Sequence, residues 1–122
     1  MLALAALLAA TADLAELPPQ PFPPGSGCAI VLWTRGEPPR RIAMLAEARQ
    51  TLRLVLDGRE TELPRLPEPG AYGSAAVRVT LDISLEPAPG LPAANVASGV
   101  LRLERPGADE LAIAVAGLRA CR

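Results

Sequence analysis

Side chains that could carry out acid–base or nucleophilic chemistry are few in this sequence of 122 residues, which contains no His and no Lys. A serine or cysteine nucleophile usually needs an imidazole or an amine as its base. The serines are Ser26, Ser74, Ser84 and Ser98, and none of them lies in a Gly-x-Ser-x-Gly turn. The inventory therefore predicts a protein that is not an enzyme.

Paired carboxylates offer one route to glycoside chemistry, because Glu60 and Glu62 would point to the same face of a strand. The alternative is an exposed charged face in which they pair with Arg53, and we favour it. The Asp57-Gly58 turn has too few neighbouring oxygens for a calcium loop, and no glycine-rich phosphate loop is present. We predict no metal and no cofactor.

Charge and aromatic content bear on the kind of partner. All 12 basic residues are Arg and they face 13 acids, which gives a net charge of -1. Each Arg has an acid nearby in sequence, and the aromatic residues are only Phe22, Trp33 and Tyr72. Nucleic-acid binding needs a clustered positive field and stacking surfaces, so nucleic acid is not expected as a partner.

Elements that would position any site are predicted to be strands. From Val77 to Glu86, aliphatic and polar residues alternate without interruption, which indicates a strand with one dry face and one wet face. Asp57-Gly58 suits a two-residue type I′ turn. That turn would oppose Leu56 with Arg59, Val55 with Glu60, Leu54 with Thr61, Arg53 with Glu62 and Leu52 with Leu63.

Further strands are expected on both sides of this hairpin. Cys28 to Thr34 is a continuous apolar run, and Arg41 to Ala48 is either a strand, which we favour, or a helical turn. A second hairpin is expected from Val100 to Glu104 and from Glu110 to Ala116, with a bulge or strand end at Gly117. The fold class is mostly β, a small antiparallel barrel or sandwich of six to eight strands in one domain over residues 28–122.

The N-terminal region reads as two segments. Residues 1–12 form an uncharged apolar run that ends in Ala10-Thr11-Ala12, which is typical of a signal peptide. The alternative is an apolar helix that extends to Leu17 and stays either as an inner-membrane anchor or packed on the domain. Residues 13–27 are rich in proline and are predicted to be a linker. We therefore expect a periplasmic or secreted protein with no membrane span after signal removal.

The two cysteines stand at the ends of the predicted domain. In an exported domain, Cys28 and Cys121 would most simply form a disulfide that ties the first strand to the last. The alternative is a pair of unpaired buried thiols in a cytosolic protein.

Two features could contact a partner. Gly70, Tyr72, Gly73 and Ser74 form a predicted loop with the domain's only tyrosine, a residue that supplies contact area at low entropy cost. In the alternative, this tyrosine covers one end of the core. The strand from Glu110 to Ala116 places Ala112, Ala114 and Ala116 on one face, which is either covered or open to a partner.

Several of these features together resemble the periplasmic and membrane-bound inhibitors of c-type lysozyme. They are the terminal cysteines, an early apolar strand, the hairpin from Leu54 to Leu63, and the Gly70-x-Tyr72 loop. The resemblance implies a small antiparallel barrel that inserts a loop into a lysozyme cleft. It covers the scaffold rather than the inhibitory motif, because Pro69 precedes Gly70 and the chain has no Lys. We expect a non-catalytic binding or inhibitory module of the bacterial cell envelope with a protein partner; the alternative is a structural or accessory subunit.

Overall fold

The computed structural model describes residues 14–87 and 93–122, and these ranges contain strands and turns but no helix. The predicted signal segment, residues 1–12, lies outside the described residues. Of the alternative helix only the end toward Leu17 is described, and residues 14–17 are not helical. The strands are β1 (Leu14–Ala15), β2 (Cys28–Thr34), β3 (Arg41–Ala46), β4 (Thr51–Leu56), β5 (Arg59–Pro64), β6 (Ala71–Gly73), β7 (Arg78–Pro87), β8 (Ala93–Glu104) and β9 (Leu111–Cys121). The segment that was ambiguous between strand and helical turn is therefore a strand, β3.

All pairings between strands are antiparallel, and they join the strands into one curled sheet. The order is β4-β3-β2-β9-β8-β7-β6, and both β5 and the two-residue β1 pair with β4. The sheet curls into a half-barrel whose ends approach each other at a bridge between Arg65 and Tyr72. The predicted antiparallel β class is confirmed, as a single curled sheet and not as two packed sheets.

The β4–β5 hairpin has the predicted register in all five pairs, from Leu56 opposite Arg59 to Leu52 opposite Leu63. Its two turn residues, Asp57 and Gly58, have φ angles of 52° and 78°. Positive φ at both central positions defines the type I′ turn, whose twist matches that of the flanking strands. The Asp-Gly pair therefore fixes which side chains of β4 face the core.

The core lies on the concave side of the sheet and consists almost entirely of aliphatic side chains. Its members are Ile30, Leu32, Ile42, Ala43, Leu45, Leu52, Leu54, Leu56, Leu63, Tyr72, Val77, Val79, Leu81, Val96, Leu101, Leu103 and Val115. Along most strands they alternate with residues of the convex side, as a sheet with one dry face requires.

Strand β7 confirms the predicted alternation but not a dry face along its whole length. Val79 and Leu81 are buried, whereas Leu85 is 43% exposed. The reason is the shortness of β6, which pairs with β7 only as far as Thr80. Beyond that point β7 continues past the edge of the half-barrel, and its last residues lack the neighbour that would cover them.

Strand β9 runs through Gly117 to Cys121, so the predicted strand end at Gly117 is wrong. Gly117 lies opposite both Leu32 of β2 and Val96 of β8. The irregularity is in the neighbouring strand, where the register of β8 shifts between Val96 and Val100. A Cβ at position 117 would collide with the Val31 carbonyl oxygen, so close packing of the backbones explains the glycine.

Candidate functional site

The predicted Tyr72 contact is not available at the surface. Tyr72 is 8% exposed and belongs to the core, between its neighbour Val79 on β7 and the bridge to Arg65. Burial raises the pKa of its hydroxyl. The structure therefore places Tyr72 over one end of the core, as in the alternative interpretation from sequence.

The glycines around Tyr72 allow close approach of backbones. Gly70 and Gly73 both have positive φ, and a Cβ on either would meet the carbonyl oxygen of a neighbouring segment, Leu81 or Val77. Of the four predicted loop residues only Ser74 is exposed, and its backbone N–H donates to Val77 O at 2.8 Å. The segment is a tight corner between β6 and β7 that offers little side chain to a partner.

The disulfide between Cys28 and Cys121 is present, as predicted, and it joins residues 93 positions apart in sequence. The two cysteines are directly opposite in the β2–β9 pairing. Next to them, backbone hydrogen bonds join Gly27 and Arg122 in both directions, at 3.3 and 2.9 Å. The disulfide thus links the two ends of the domain where the pairing of β2 with β9 already holds them together.

The convex side of β9 presents an apolar surface to solvent. Ala112 and Ala114 are exposed, Ala116 is half-buried, and Leu118 is 39% exposed. Their cross-strand neighbours extend the same surface: Val31 opposite Leu118, Trp33 opposite Ala116, and Val100 opposite Ala114. We call these seven residues the β9 face. Of the two alternatives from sequence, covered or open, it is largely open among residues 14–87 and 93–122.

Two charged pairs lie near β9, on opposite sides of the sheet: Arg102 on the convex side and Arg119 on the side of its core partner Ile30. Arg102, opposite Ala112, lies 3.6 Å from Glu110. Near the other end of β9, Arg119 donates to Glu47 at 2.7 Å, and this hydrogen bond raises the pKa of Arg119. Both pairs are partly exposed, so each contributes little to stability.

The proline-rich segment, assigned to a linker from sequence, lies against the convex side of the sheet. Leu17 is fully buried, and its backbone exchanges hydrogen bonds with Arg41: Leu17 N–H donates to the carbonyl at 2.8 Å, and Arg41 Nε donates back at 3.0 Å. Farther along the segment, Arg122 donates to the Phe22 carbonyl at 2.9 Å and stacks over its ring. We call residues 18–26 the strap.

The middle of the strap is held through Gln20. Arg53 Nη1 donates to Gln20 Oε1 at 3.0 Å, and Gln20 Nε2 donates to Glu60 at 2.8 Å. Arg53 also donates to Glu62 at 2.6 Å, which holds the pKa of Glu62 below its usual value. Glu62 therefore pairs with Arg53, as favoured from sequence, whereas Glu60 accepts a hydrogen bond from Gln20. Both carboxylates help to position the strap.

A cleft of about 360 Å³ separates the strap from the sheet. Its apolar side includes Phe22 from the strap and Met44 and Ala46 from β3. Its polar side consists of Arg49, Thr51, Arg53, Glu62 and Gln20. This cleft was not predicted from the sequence; the signal for it is the row of polar residues on β4 and β5 that alternates with the core leucines.

No family model, curated protein or solved structure matches this chain. Among residues 14–87 and 93–122, no three His, Cys, Asp or Glu side chains are grouped so that they could hold a metal ion. The same ranges contain no helix with the length and apolar character needed to cross a membrane.

Proposed function

We propose that this chain is an exported, non-catalytic binding module of the bacterial cell envelope, which takes another protein as its partner through the β9 face. The observation that carries the proposal is the β9 face itself, where Leu118 and two alanines are exposed on a regular strand. Contiguous apolar surface is costly to leave in water, and on soluble proteins it commonly marks an interaction site.

The shape of this face suits a flat partner. Ala112 and Ala114 have short side chains, so another surface can approach the backbone of β9 closely, and Leu118 can provide a single larger contact. The partly exposed Arg102–Glu110 pair would lie at the rim, where charges contribute more to orientation than to affinity. The buried Tyr72 corner does not offer a comparable contact.

Export is supported by the disulfide between Cys28 and Cys121. Such bonds persist in oxidising compartments, the periplasm or the exterior, and are rare in the cytosol. The intact mass of protein recovered from cells tests this point. We expect an oxidised chain that has lost its N-terminal segment; an N-terminus at Met1 together with two alkylatable thiols would refute export.

Site-specific photo-crosslinking in cells tests the partner surface. A photoreactive residue at Ala114 should give an adduct of one defined mass, and the same residue at Ser84, exposed on β7, should not. The adduct should disappear when Leu118→Arg is added in the same chain. Absence of an adduct at Ala114, or equal adducts at both positions, would refute docking on the β9 face.

Inhibition of c-type lysozyme, which the sequence resemblance implies, is a narrower version of the proposal. Muramidase activity measured with micromolar purified protein tests it, with Ala114→Arg as the variant that should restore activity. Undiminished muramidase activity would remove lysozyme as the partner.

An accessory subunit, the second candidate, is favoured by the flatness of the same face. The chain would then be recovered from size-exclusion chromatography as part of a permanent stoichiometric complex.

A further inference from the structure

The strap cleft has the construction of a small-molecule site, distinct from the β9 face. We propose that it binds a small amphiphile with one short apolar chain and one anionic head group, for which a medium-chain carboxylic acid is the simplest model. Its volume of about 360 Å³ falls at the lower end of the roughly 300–1,000 Å³ of typical ligand sites.

The cleft exists because the strap cannot pair with the sheet. Proline has no backbone N–H, so the strap residues Pro21, Pro23 and Pro24 cannot donate to a strand. Hydrogen bonds anchor the strap at Leu17 and Gly27. Between these anchors the segment passes over the sheet without a hydrogen-bond ladder, and the space beneath it is not filled by backbone.

The wall of the cleft that can receive a chain is apolar. Phe22 and Pro21 line it from above, and Ala29, Met44 and Ala46 line it from the sheet. The alanines leave room that larger side chains would fill. Met44 has an unbranched and flexible side chain, which adapts to apolar groups of varied shape.

The other wall carries a net positive charge, because two guanidinium groups, Arg49 and Arg53, face a single carboxylate, Glu62. Arg53 is engaged at 2.6 Å with Glu62 and also with Gln20. Arg49 is 3.7 Å from Glu62 and its side chain is 70% exposed, so it is the less committed cation. An anionic head group would be attracted to Arg49 more strongly than a neutral one, whereas a cationic head group would be repelled.

Isothermal titration calorimetry with the oxidised protein tests the proposal. The ligands are decanoate and decyltrimethylammonium, below their micelle concentrations, and decanol, below its solubility limit. Decanoate should bind with one site, and decyltrimethylammonium about tenfold more weakly because the sign of the head-group interaction reverses. Decanol should bind about fivefold more weakly than decanoate, since it keeps the apolar chain but loses the charge. Equal binding of the three ligands would overturn the anionic assignment.

Two variants locate the site. Ala46→Leu adds three carbons to the apolar wall and should weaken decanoate binding on the order of fiftyfold, at about 0.8 kcal/mol for each chain carbon displaced. Ala112→Leu makes the same change on the β9 face and should leave binding unchanged. Arg49→Gln, at an exposed position that folding tolerates, should weaken decanoate binding about fivefold.

Other results would contradict the inference. Failure of the wild-type protein to bind decanoate at all would overturn it, as would unchanged binding by both Ala46→Leu and Arg49→Gln. If Ala46→Leu fails to fold, the binding of decanoate to Arg49→Gln and the comparison of the three head groups still test whether the cleft binds an anionic amphiphile. These outcomes are separable from the proposed function, because crosslinking at Ala114 does not depend on the cleft.

Discussion

Removal of the disulfide should cost this domain a large part of its stability. In the Cys28→Ser/Cys121→Ser variant, we expect the folded sheet to keep the β2–β9 pairing. The free energy of unfolding falls mainly because the unfolded chain, which is no longer cross-linked, gains conformational entropy. For a separation of 93 residues, loop-closure entropy amounts to about 4.7 kcal/mol at 25 °C. The free energy of unfolding of a domain is typically about 5–15 kcal/mol. If that of the wild-type protein is near the lower limit, the variant would be partly unfolded.

Urea denaturation followed by far-UV circular dichroism measures this loss. With a slope of about 1.5 kcal/mol per molar urea, a loss of about 4.7 kcal/mol would lower the midpoint by about 3 M. Reduced wild-type protein is the matched control and should unfold at the same midpoint as the double variant. A loss below about 1 kcal/mol with an unchanged slope would refute the loop-closure argument.

Five further substitutions, one of them combined with a pH titration, test other parts of the structure. Leu32→Ala, at a fully buried core position, should lower the free energy of unfolding by about 3–5 kcal/mol in urea titrations, whereas Leu118→Ala on the exposed face should cost less than about 1 kcal/mol. Gly117→Ala should reduce the denaturation midpoint sharply because its Cβ meets backbone, with a cost of at least about 1–3 kcal/mol. Gly36→Ala, in open space, is the control and should remain within about 0.5 kcal/mol of wild type. Glu62 has a folded pKa below its usual 4.5, so it stabilises the fold above that pH and this contribution is lost as the pH falls through the lowered pKa. Glu62→Gln should therefore flatten the acid limb of a stability–pH curve, and an unchanged acid limb would contradict the assignment.

Local patterns in the sequence were sufficient to predict the structure wherever a single interaction dominates. Asp57-Gly58 fixed the register of the β4–β5 hairpin because only residues tolerant of positive φ suit that turn. Cys28 and Cys121 allow only one disulfide, which was favoured from sequence over a pair of free thiols, and the structure contains it. The alternation from Val77 to Glu86 likewise predicted a strand, since side chains of a strand point to opposite faces.

Contacts between segments that are distant in sequence determined which residues are buried, and local patterns could not predict this. The alternation in β7 does not reveal that β6 stops after three residues, and this neighbour determines that Leu85 is exposed while Leu81 is buried. A glycine-flanked tyrosine suits a loop or a core end equally well; the curl of the sheet, which brings Arg65 to Tyr72, placed it in the core.

The sequence by itself determined the antiparallel β class and the first hairpin, because both depend on neighbouring residues, and it favoured a disulfide between the two cysteines over free thiols. Only the tertiary structure decided where the proline-rich segment lies. Its composition excludes a hydrogen-bond ladder, but its position over the sheet depends on Gln20 reaching Arg53 and on Arg122 reaching Phe22, 100 positions away. The cleft beneath the strap and the open β9 face both follow from such long-range contacts, and these surfaces carry the proposals about function.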